Sequence, residues 1–584
     1  MKKTFNLSNQ TIKINIENLR KLMSEKSLDA MYISSFDPYL NEYVPLEDNH
    51  RYYLTGFTGS VAEVLVPREG KVRLYVDGRY HEQADLEVDF QLIEVVKSKD
   101  STTGDLIKDA KELQVQKLGY EADRTSLGFL KRLSAVARET YALNSTELAQ
   151  IIEFAPLSAP KEIHLIAREF RGSDTLEKTK RILNEGEGFY LSALDSIAWI
   201  TNCRGYHLPF NSAFCARSFV TREKVYVFVT PETPISEKAK KETGLEFVQA
   251  PFSDISSYLD KIQNTLHLKK VYFDAGMLNA SDFSMLLKVF GPENLEEKAG
   301  GIYDHQSIKE AVEIQQMEAS FKRSDKAVFN TIKWVKDSLD KNKRITELDL
   351  YHETLVKYQE QGSKELSFNT IAGVGPNGSI IHYGSPSDEV VIKKSDLILL
   401  DSGGYFDGGF ATDTTRTFFG GRKEDKPNPK YVEIYTLVLK GLLNTASAVF
   451  PEGTKGMVLD GYARGPMRKF GYDYAHGTGH GVGINVHESG VRISSISTVP
   501  MKAGQAVSVE PGIYIPGFGG VRLENIYSVE KHPKFPGMLC LKSFAYVGYD
   551  PALINMDLLN NEEKAQLEEY EAECLKRGTS LRSL

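Results

Sequence analysis

The chain has 584 residues, of which 41% are hydrophobic and 26% charged, with a net charge of −8. This length predicts roughly two to four domains, and the acidic balance excludes the concentrated basic surface of a nucleic-acid-binding protein. The sequence contains no run of about 18 apolar residues that could cross a membrane, and the N-terminus lacks the apolar core of a signal peptide. We therefore expect a cytoplasmic protein without a membrane partner.

The four cysteines, Cys203, Cys215, Cys540 and Cys574, show no C-x-x-C spacing. A disulfide between Cys203 and Cys215 is one alternative. We favour free buried thiols, as in a reducing compartment.

The first half of the chain contains a divergent internal repeat. The sequence "YISSFD" at residues 32–37 recurs as "YLSALD" at residues 190–195, and in each copy an apolar strand, a charged turn and another strand follow. Two copies of an α/β domain explain this pattern, whereas chance similarity between short apolar strands is the alternative. The predicted domains are residues 1–160 and 161–303.

A change of pattern near residue 303 predicts a third domain at residues 304–584. Apolar residues recur at helical spacing through residues 308–335, which predicts a long amphipathic helix. A second helix should begin after Thr346, whose side chain can cap its N-terminus. Strands and glycine turns then dominate, with further helices predicted near residues 430–449 and 455–471.

The segment "LILLDSGGYFDGGFATDTTRTFFG" at residues 397–420 predicts a β-hairpin, because two β-prone runs flank "DGG". A turn centred on Asp407 places Asp401 opposite Asp413, with their Cβ atoms about 5 Å apart. Two carboxylates at that distance call for a cation or a shared proton.

The segment "AVSVEPGIYIPGFGGVRLENIYSVE" at residues 506–530 repeats this arrangement. A hairpin centred on Gly517 places Glu510 opposite Glu524, and both lie among apolar residues. One opposed acidic pair can lie on a solvated sheet face. Two such pairs around glycine turns favour a binding site.

The stretch "HGTGHGVGINVHESG" at residues 476–490 is too rich in glycine for a stable helix and contains three histidines. We select His480 as a metal ligand and place His476 and His487 close by, while His382 in "PNGSIIHYG" is a further candidate. Four carboxylates and an imidazole form the ligand set of a dinuclear divalent-metal site, in which a bridging water can become hydroxide at neutral pH. The glycines would let the backbone turn tightly beside the metals.

The order Asp401, Asp413, "HGTGH", "VEPG" and "RLEN" resembles the pita-bread dinuclear metallopeptidases, which include methionine aminopeptidase, prolidase and aminopeptidase P. "DPYLNEY", "LTGFTGS" and "VDGRYHEQA" resemble the first domain of the three-domain aminopeptidase P enzymes, and "LDSIAWITNCRG" resembles their second domain. The resemblance implies an α/β (α+β) chain, with two similar creatinase-type N-terminal domains followed by a pita-bread catalytic domain.

The resemblance also implies two divalent metal ions, typically Mn²⁺, with Zn²⁺ or Co²⁺ as alternatives. The implied ligands are Asp401, Asp413, His480, Glu510 and Glu524. Asp413 and Glu524 would bridge the ions, and Glu510 would also orient or deprotonate the bridging water.

Four further residues match the substrate-binding positions of the family. His382 and His487 would bind the substrate and steady the scissile carbonyl or move protons. His476 would line the pocket, and Arg522 would lie close to the bridging carboxylate. Because side chains alternate along a strand, Arg522 shares a face with Glu524.

The implied function is a metal-dependent aminopeptidase that releases the first residue from peptides with proline in the second position, through a metal-bridging hydroxide. The resemblance also implies a homodimer. A prolidase acting on X-Pro dipeptides is the alternative enzyme, and a non-enzymatic pita-bread binding module is the alternative from another class.

The sequence departs from the family pattern at two positions. The spacing from Asp401 to Asp413 is one residue longer, which we interpret as an extra turn residue or a bulge, and Asn369 stands where proline is common.

Overall fold

The computed structural model describes residues 6–422 and 424–584 and forms two compact units. The first unit consists of the residues through Leu165, Asp174–Pro209 and Ala213–Ile302, and the second consists of Ile166–Ser173, Phe210–Ser212 and Tyr303–Leu584. Two short segments of the predicted second domain thus group with the second unit. Among the described residues, no helix combines the length and the apolar character needed to span a membrane.

The first unit mixes helices and strands throughout its length. Its helices are α1 (Asn9–Glu25), α2 (His50–Thr55), α3 (His81–Glu87), α4 (Thr102–Glu112), α5 (Leu127–Ser134), α6 (Ser145–Ala149), α7 (Thr175–Ile182), α8 (Leu194–Thr201), α9 (Glu237–Lys240), α10 (Ile255–Leu266) and α11 (Ala280–Phe290). Its strands are β1 (Ala30–Ile33), β2 (Glu63–Pro67), β3 (Val72–Val76), β4 (Ile93–Lys97), β5 (Lys117–Glu121), β6 (Glu139–Leu143), β7 (His164–Leu165), β8 (Glu187–Leu191), β9 (Cys203–Arg204), β10 (Arg217–Thr221), β11 (Val225–Val229), β12 (Leu245–Gln249), β13 (Lys270–Phe273) and β14 (Leu295–Glu297).

Two six-stranded sheets of this unit share one topology. Their strand orders are β4-β3-β2-β1-β5-β6 and β12-β11-β10-β8-β13-β14. In each sheet the repeated motif begins on a central strand, β1 or β8, which is antiparallel to one neighbour and parallel to the other. The equivalent residues Tyr32 and Tyr190 pair with Leu65 and Phe219 on the equivalent antiparallel strands. The internal duplication read from the sequence is confirmed.

Both faces of the first sheet are buried. Consecutive side chains of a strand point to opposite faces, and the neighbours Val64 and Leu65 of β2 belong to different hydrophobic clusters. Helix α1 covers one face through Leu19, and α4 covers the other through Leu106. The apolar run of β2 therefore needs no polar alternation, as in other sheets covered on both sides.

The second unit begins with long helices and continues mainly as strands. Its helices are α12 (Tyr303–Gln306), α13 (Ala311–Asp340), α14 (Glu347–Glu360), α15 (Pro429–Ala446), α16 (Gly456–Arg468) and α17 (Asn561–Arg577). Its strands are β15 (Glu365–Leu366), β16 (Ile371–Val374), β17 (Leu397–Ser402), β18 (Gly404–Tyr405), β19 (Thr414–Phe419), β20 (Phe450–Pro451), β21 (Gly479–Gly481), β22 (Glu488–Ile493), β23 (Ala506–Val509), β24 (Gly512–Ile515), β25 (Gly519–Arg522), β26 (Asn525–Lys531) and β27 (Met538–Ser543).

The helices of this unit agree with the sequence pattern. The long amphipathic helix is α13, which buries Met317, Phe321 and Ile332. Helix α14 begins at a capping box, in which the Thr346 hydroxyl accepts from the Asp349 amide and the Asp349 side chain accepts from the Thr346 amide. All four cysteines are free, as expected, but only Cys203 and Cys574 are buried, whereas Cys215 and Cys540 are partly exposed.

The hairpin formed by β17 and β19 is present, but its predicted register is wrong. Asp401 pairs with Thr415, not with Asp413. The amide of Gly409 donates to the carbonyl of Phe406, and Gly409 has φ of 68°. The turn is therefore centred on Gly408, one residue later than predicted, and ends at a glycine in the left-handed region. Because the slip is two residues, Asp413 keeps the same face of the sheet.

The second hairpin has the predicted register. Strand β23 pairs with β26 through Val509 opposite Asn525, and β24 pairs with β25 through Gly512 opposite Arg522. These two pairs bracket Glu510 and Glu524 and place them opposite each other. The turn contains Gly517 at φ of 73°. The opposition of these two carboxylates is therefore confirmed.

Candidate metal centre

The two hairpins meet at their acidic ends. Asp401 lies on β17 and Asp413 immediately precedes β19. The amide of Glu524 donates to the carbonyl of Thr415 at 3.1 Å, and the Thr415 hydroxyl donates to Oε2 of Glu524 at 2.8 Å. These bonds join the hairpins directly, so Asp401 and Asp413 share one site with two carboxylates, Glu510 and Glu524, that lie at least 97 residues later in the chain.

Two oxygens of this cluster have no hydrogen-bond donor. Oδ1 of Asp401 and Oε1 of Glu524 are buried and lack a partner among the described residues. Their other oxygens are satisfied by Arg522 and Thr415. A buried carboxylate oxygen without a donor is costly unless a cation balances it. This pattern fits a metal ion better than a closed hydrogen-bond network.

His480 presents one nitrogen to the carboxylates. Its Nε2 lies 3.6 Å from Oδ2 of Asp413 and 3.5 Å from Oε1 of Glu510, while Nδ1 lies 3.0 Å from the carbonyl of Gly481. Because a carbonyl can only accept, Nδ1 carries a proton, and in the neutral imidazole Nε2 therefore has the lone pair. Metal-binding histidines are commonly oriented by such a bond to a carbonyl.

Ligand atoms of Asp413, His480 and Glu524 all lie within 4.8 Å of one another. Burial, followed by the charges of Glu524, Asp401 and Glu510, raises the pKa of Asp413 well above its usual range. Burial, followed by the charge of Asp401, also raises the pKa of Glu524. The carboxylates of the cluster therefore cannot all be ionised together unless bound cations balance their charge; without cations, some of them remain protonated.

Arg522 balances one side of the cluster. Its guanidinium is fully buried and donates to Oδ2 of Asp401 at 2.6 Å and to the hydroxyl of Tyr514 at 2.9 Å. It also donates to the Thr415 hydroxyl at 3.2 Å and to the Ile381 carbonyl at 3.3 Å. Arg522 thus fixes Asp401 so that its second oxygen stays directed away from these donors.

The remaining predicted histidines surround the carboxylates to different extents. His476 lies with Nδ1 4.0 Å from Oε2 of Glu510, and the ring of His487 lies 4.4 Å from that of His480. His382 is partly buried, and it follows the residue whose carbonyl receives the bond from Arg522. Six of the nine predicted residues are thus joined by direct distances. Asp401 and Arg522 form a pair that reaches them through Thr415 and Tyr514, and His382 is placed through its backbone neighbour.

Glycines allow close strand contact on both sides of His480. A Cβ on Gly479 would lie 1.9 Å from the carbonyl oxygen of Ser508, and a Cβ on Gly481 would lie 2.3 Å from that of Glu488. Neither glycine has a positive φ. The glycines are therefore required for close approach between strands, whereas the sequence had suggested a tight turn.

Tyr514 and Thr415 contact the predicted site residues and were not identified from the sequence. The Tyr514 hydroxyl bridges Nε2 of His476, at 2.9 Å, and Arg522. Burial raises the pKa of Tyr514 to about 12, so the hydroxyl keeps its proton. Alternation along the strand was the available signal, because Tyr514 lies four residues from Glu510 and hence on the same face.

Comparison with known proteins identifies the family. Family profiles match in order: the creatinase/prolidase N-terminal domain at residues 15–153, a second such domain at residues 155–313, and metallopeptidase family M24 at residues 315–531. A probable Xaa-Pro aminopeptidase P from Coprinopsis cinerea is 31% identical over 96% of this chain and 94% of its own length. The chain belongs to the Xaa-Pro aminopeptidase P family.

Other members of the aminopeptidase P family show the same extent of similarity. A probable Xaa-Pro aminopeptidase P from Laccaria bicolor is 30% identical over 96% of this chain and 89% of its own length. The crystal structure of the X-prolyl aminopeptidase from Caenorhabditis elegans, described as a cytosolic enzyme with a di-nuclear active site, matches with a TM-score of 0.88 at 26% identity. The match covers 97% of this chain and 96% of the nematode enzyme's chain. The family and the fold class read from the motifs are confirmed.

Proposed function

We propose that this member of the aminopeptidase P family is a metal-dependent aminopeptidase that releases the first residue from peptides with proline in the second position. The observation that carries the proposal is the convergence of Asp413, His480 and Glu524 within 4.8 Å. Similarity along nearly the whole chain to proteins named Xaa-Pro aminopeptidase P supports the same activity.

The proposed ligands of two divalent ions are Asp401, Asp413, His480, Glu510 and Glu524. The di-nuclear active site of the nematode enzyme supports this number of ions. Asp413 and Glu524 are the proposed bridging ligands, since each is buried and influenced by the charge of other carboxylates in the cluster. An oxygen-rich donor set favours Mn²⁺, and the imidazole also admits Zn²⁺ or Co²⁺.

When bound, the two ions would polarise the scissile carbonyl and lower the pKa of the attacking water. Glu510 is the proposed base that orients this water and receives its proton. Its side chain is 18% exposed, whereas those of Asp401 and Asp413 are only 9% and 6% exposed. Glu510 is therefore the carboxylate of these three that a substrate can reach most easily.

The histidines are the proposed substrate contacts. An X-Pro bond has no N–H to donate, so recognition must use the carbonyl and the shape of the ring. His382 and His487 would donate to the scissile carbonyl or return a proton to the leaving nitrogen. His476 would line the pocket, with the Tyr514 hydroxyl donating to its Nε2 because Nδ1 lies 2.7 Å from the Gly477 carbonyl. Arg522 would restrain Asp401.

The test is mass spectrometry of the products after the Mn²⁺-loaded protein is incubated with an Xaa-Pro-Xaa tripeptide and, separately, an Xaa-Pro dipeptide. Release of the first residue from the tripeptide, with poor cleavage of the dipeptide, is the expected result. Strong cleavage of the dipeptide with an inert tripeptide would move the assignment to prolidase. Metal binding without cleavage of either peptide would favour the binding-module alternative.

A matched pair of variants separates the site from general effects of charge. Glu510→Gln should abolish tripeptide cleavage, whereas Glu530→Gln on β26 of the same sheet should retain it. Equal losses in both variants would show that the effect is structural.

We also propose a cytoplasmic homodimer that uses peptides, and neither nucleic acid nor membrane, as partners. The cytosolic description of the nematode enzyme supports the location. Four apolar side chains of the second unit, Met457, Val458, Ile496 and Val499, are 39% to 77% exposed. Backbone bonds from Gly456 to Val499 and from Met457 to Ser497 hold them side by side, and such clusters are typical of interfaces. Sedimentation of wild type and of Ile496→Glu tests the dimer.

The domain boundaries, residues 1–160, 161–303 and 304–584, are likewise a proposal. The positions of the three matched family profiles support them. Limited proteolysis with identification of the fragment ends is the test.

A further inference from the structure

We propose that Arg464 is a positioning residue that holds the segment carrying His476 and His480 in its active geometry. Arg464 lies on α16, outside every motif quoted above, and is only 4% exposed. Its role in catalysis rests on the proposed aminopeptidase function. Its role in holding the segment does not.

Each nitrogen of the Arg464 guanidinium donates to at least one acceptor. Nε donates to Asp460, one helical turn earlier, at 3.0 and 2.8 Å. Nη1 donates to Oδ1 of Asp473 at 2.6 Å and to the carbonyl of Tyr474 at 2.7 Å, and Nη2 donates to the carbonyl of His476 at 2.6 Å. One rigid side chain therefore binds three successive points along the segment that leads to His480.

A cation–π contact and a tilted ring pair connect Arg464 to the imidazole of His476 as well. The guanidinium carbon of Arg464 lies 3.7 Å from the centroid of the Tyr474 ring. The Tyr474 ring lies 4.7 Å from the ring of His476. Arginine favours such contact because its planar cation is weakly hydrated and matches the face of an aromatic ring. The backbone and the ring of His476 are thus both restrained from α16.

Asp460 connects the same helix to the ligand side of the segment. The Thr478 hydroxyl donates to Oδ1 of Asp460 at 2.6 Å, so the Tyr474 hydroxyl must donate its own proton to Thr478. The Thr478 carbonyl accepts from the amide of Glu510 at 2.8 Å. The network therefore runs from Arg464 and Asp460 to the backbone of a proposed metal ligand.

Lysine cannot replace this arginine. Its ammonium has three donors around one atom and cannot reach the carboxylate and both carbonyls with the planar geometry of a guanidinium. A displacement of about 1 Å at a catalytic group can cost on the order of 100-fold in rate. We therefore expect Arg464→Lys to lower kcat/KM for the Xaa-Pro-Xaa tripeptide by about 100-fold, while the five proposed ligands still bind metal.

The matched control is Arg468→Lys. Arg468 lies on the same helix and donates to the same Asp473, at 3.0 Å, but its side chain is 52% exposed. No hydrogen bond connects its side chain to the 474–476 carbonyls among the described residues. This variant should keep kcat/KM within about threefold of wild type.

The first readout is independent of activity. Hydrogen exchange of residues 470–482, measured by mass spectrometry on the full-length protein, should be at least tenfold faster in Arg464→Lys than in wild type or Arg468→Lys. Unchanged exchange in Arg464→Lys would overturn the proposal. If wild type fails to cleave Xaa-Pro peptides, the proposed function falls, and this readout still decides the positioning role.

The second readout is chemical rescue. Ethylguanidinium added to Arg464→Ala should restore at least tenfold in kcat/KM, whereas ethylammonium should not. Rescue by neither compound in a variant that stays folded and metal-loaded would overturn the catalytic consequence. If Arg464→Ala does not fold, Arg464→Lys decides alone: kcat/KM within threefold of wild type would overturn it, and a 100-fold loss with bound metal supports it.

Discussion

Asp325 offers a quantitative test of the packing of the second unit. It lies on α13 and is 1% exposed, with Oδ2 accepting from the amide of Tyr546 at 2.9 Å. Its Oδ1 has no hydrogen-bond partner among the described residues, and Nη1 of Arg577 lies 3.8 Å from Oδ2. Burial raises the pKa of Asp325 from 3.8 to about 7.

The sign of the effect follows from this shift. The folded state holds the proton more tightly than the unfolded state, so the contribution to stability is present below the unfolded pKa and is lost as the pH rises through the folded pKa. A shift of about 3 units corresponds to about 4 kcal/mol, of which about 3 kcal/mol falls between about pH 5 and about pH 8.5. Ionisation of Asp325 should therefore weaken the second unit at alkaline pH.

Asp325→Asn removes this ionisation with little change in shape. Relative to wild type, the variant should gain about 3 kcal/mol more stability at about pH 8.5 than at about pH 5. The chain has two tryptophans, Trp199 and Trp334, and Trp334 lies on α13. Urea unfolding followed by Trp334 fluorescence in a Trp199→Phe background reports this unit. Parallel pH profiles of the variant and wild type would refute the reasoning.

Asp337→Asn is the matched control on the same helix. The pKa of Asp337 is lowered, first by the hydrogen bond from Lys333, and its side chain is 36% exposed. This surface substitution should change stability by no more than about 0.5 kcal/mol at either pH.

Three further predictions concern the site. Asp413→Asn should abolish tight metal binding and lower tripeptide cleavage by more than about 1000-fold. Elemental analysis measures the metal content, and mass spectrometry of the products measures the cleavage. Full metal content with near-normal turnover would remove Asp413 from the ligand set. Tyr514→Phe should lower kcat/KM by about tenfold and the free energy of unfolding by about 1 kcal/mol, because His476 and Arg522 lose a shared hydroxyl. Steady-state kinetics and thermal unfolding measure the two effects. Unchanged kinetics would contradict a role for the Tyr514 hydroxyl between His476 and Arg522. The pKa values of Asp413 and Glu524 are raised in the metal-free protein, so metal binding should release more protons at about pH 6.5 than at about pH 8.5. Calorimetry in buffers of different ionisation enthalpy measures the number of protons released. Equal release at the two pH values would contradict the raised pKa values.

The two hairpins show how far local sequence can define a site. Around Gly517 the predicted centre of the turn is correct, and the opposition of Glu510 and Glu524 agrees with the pairs on both sides. In the first hairpin the turn is centred on Gly408 rather than on Asp407, so the partner of Asp401 moves by two residues to Thr415. The prediction that both aspartates share one face survived, because an even shift preserves strand alternation.

The sequence by itself determined the element types and the duplication and singled out the candidate acidic and histidine residues, because period, turn chemistry and motif order are local properties. Tertiary structure decided which atoms are available. The bond from Arg522 to Asp401 spans 121 residues and leaves Oδ1 of Asp401 without a donor within residues 6–422 and 424–584. The hydrogen bond from Nη2 of Arg464 to the carbonyl of His476 joins α16 to the loop that follows it. Such bonds depend on the relative placement of elements that are distant in the chain, and the residue pattern within a single element does not predict that placement.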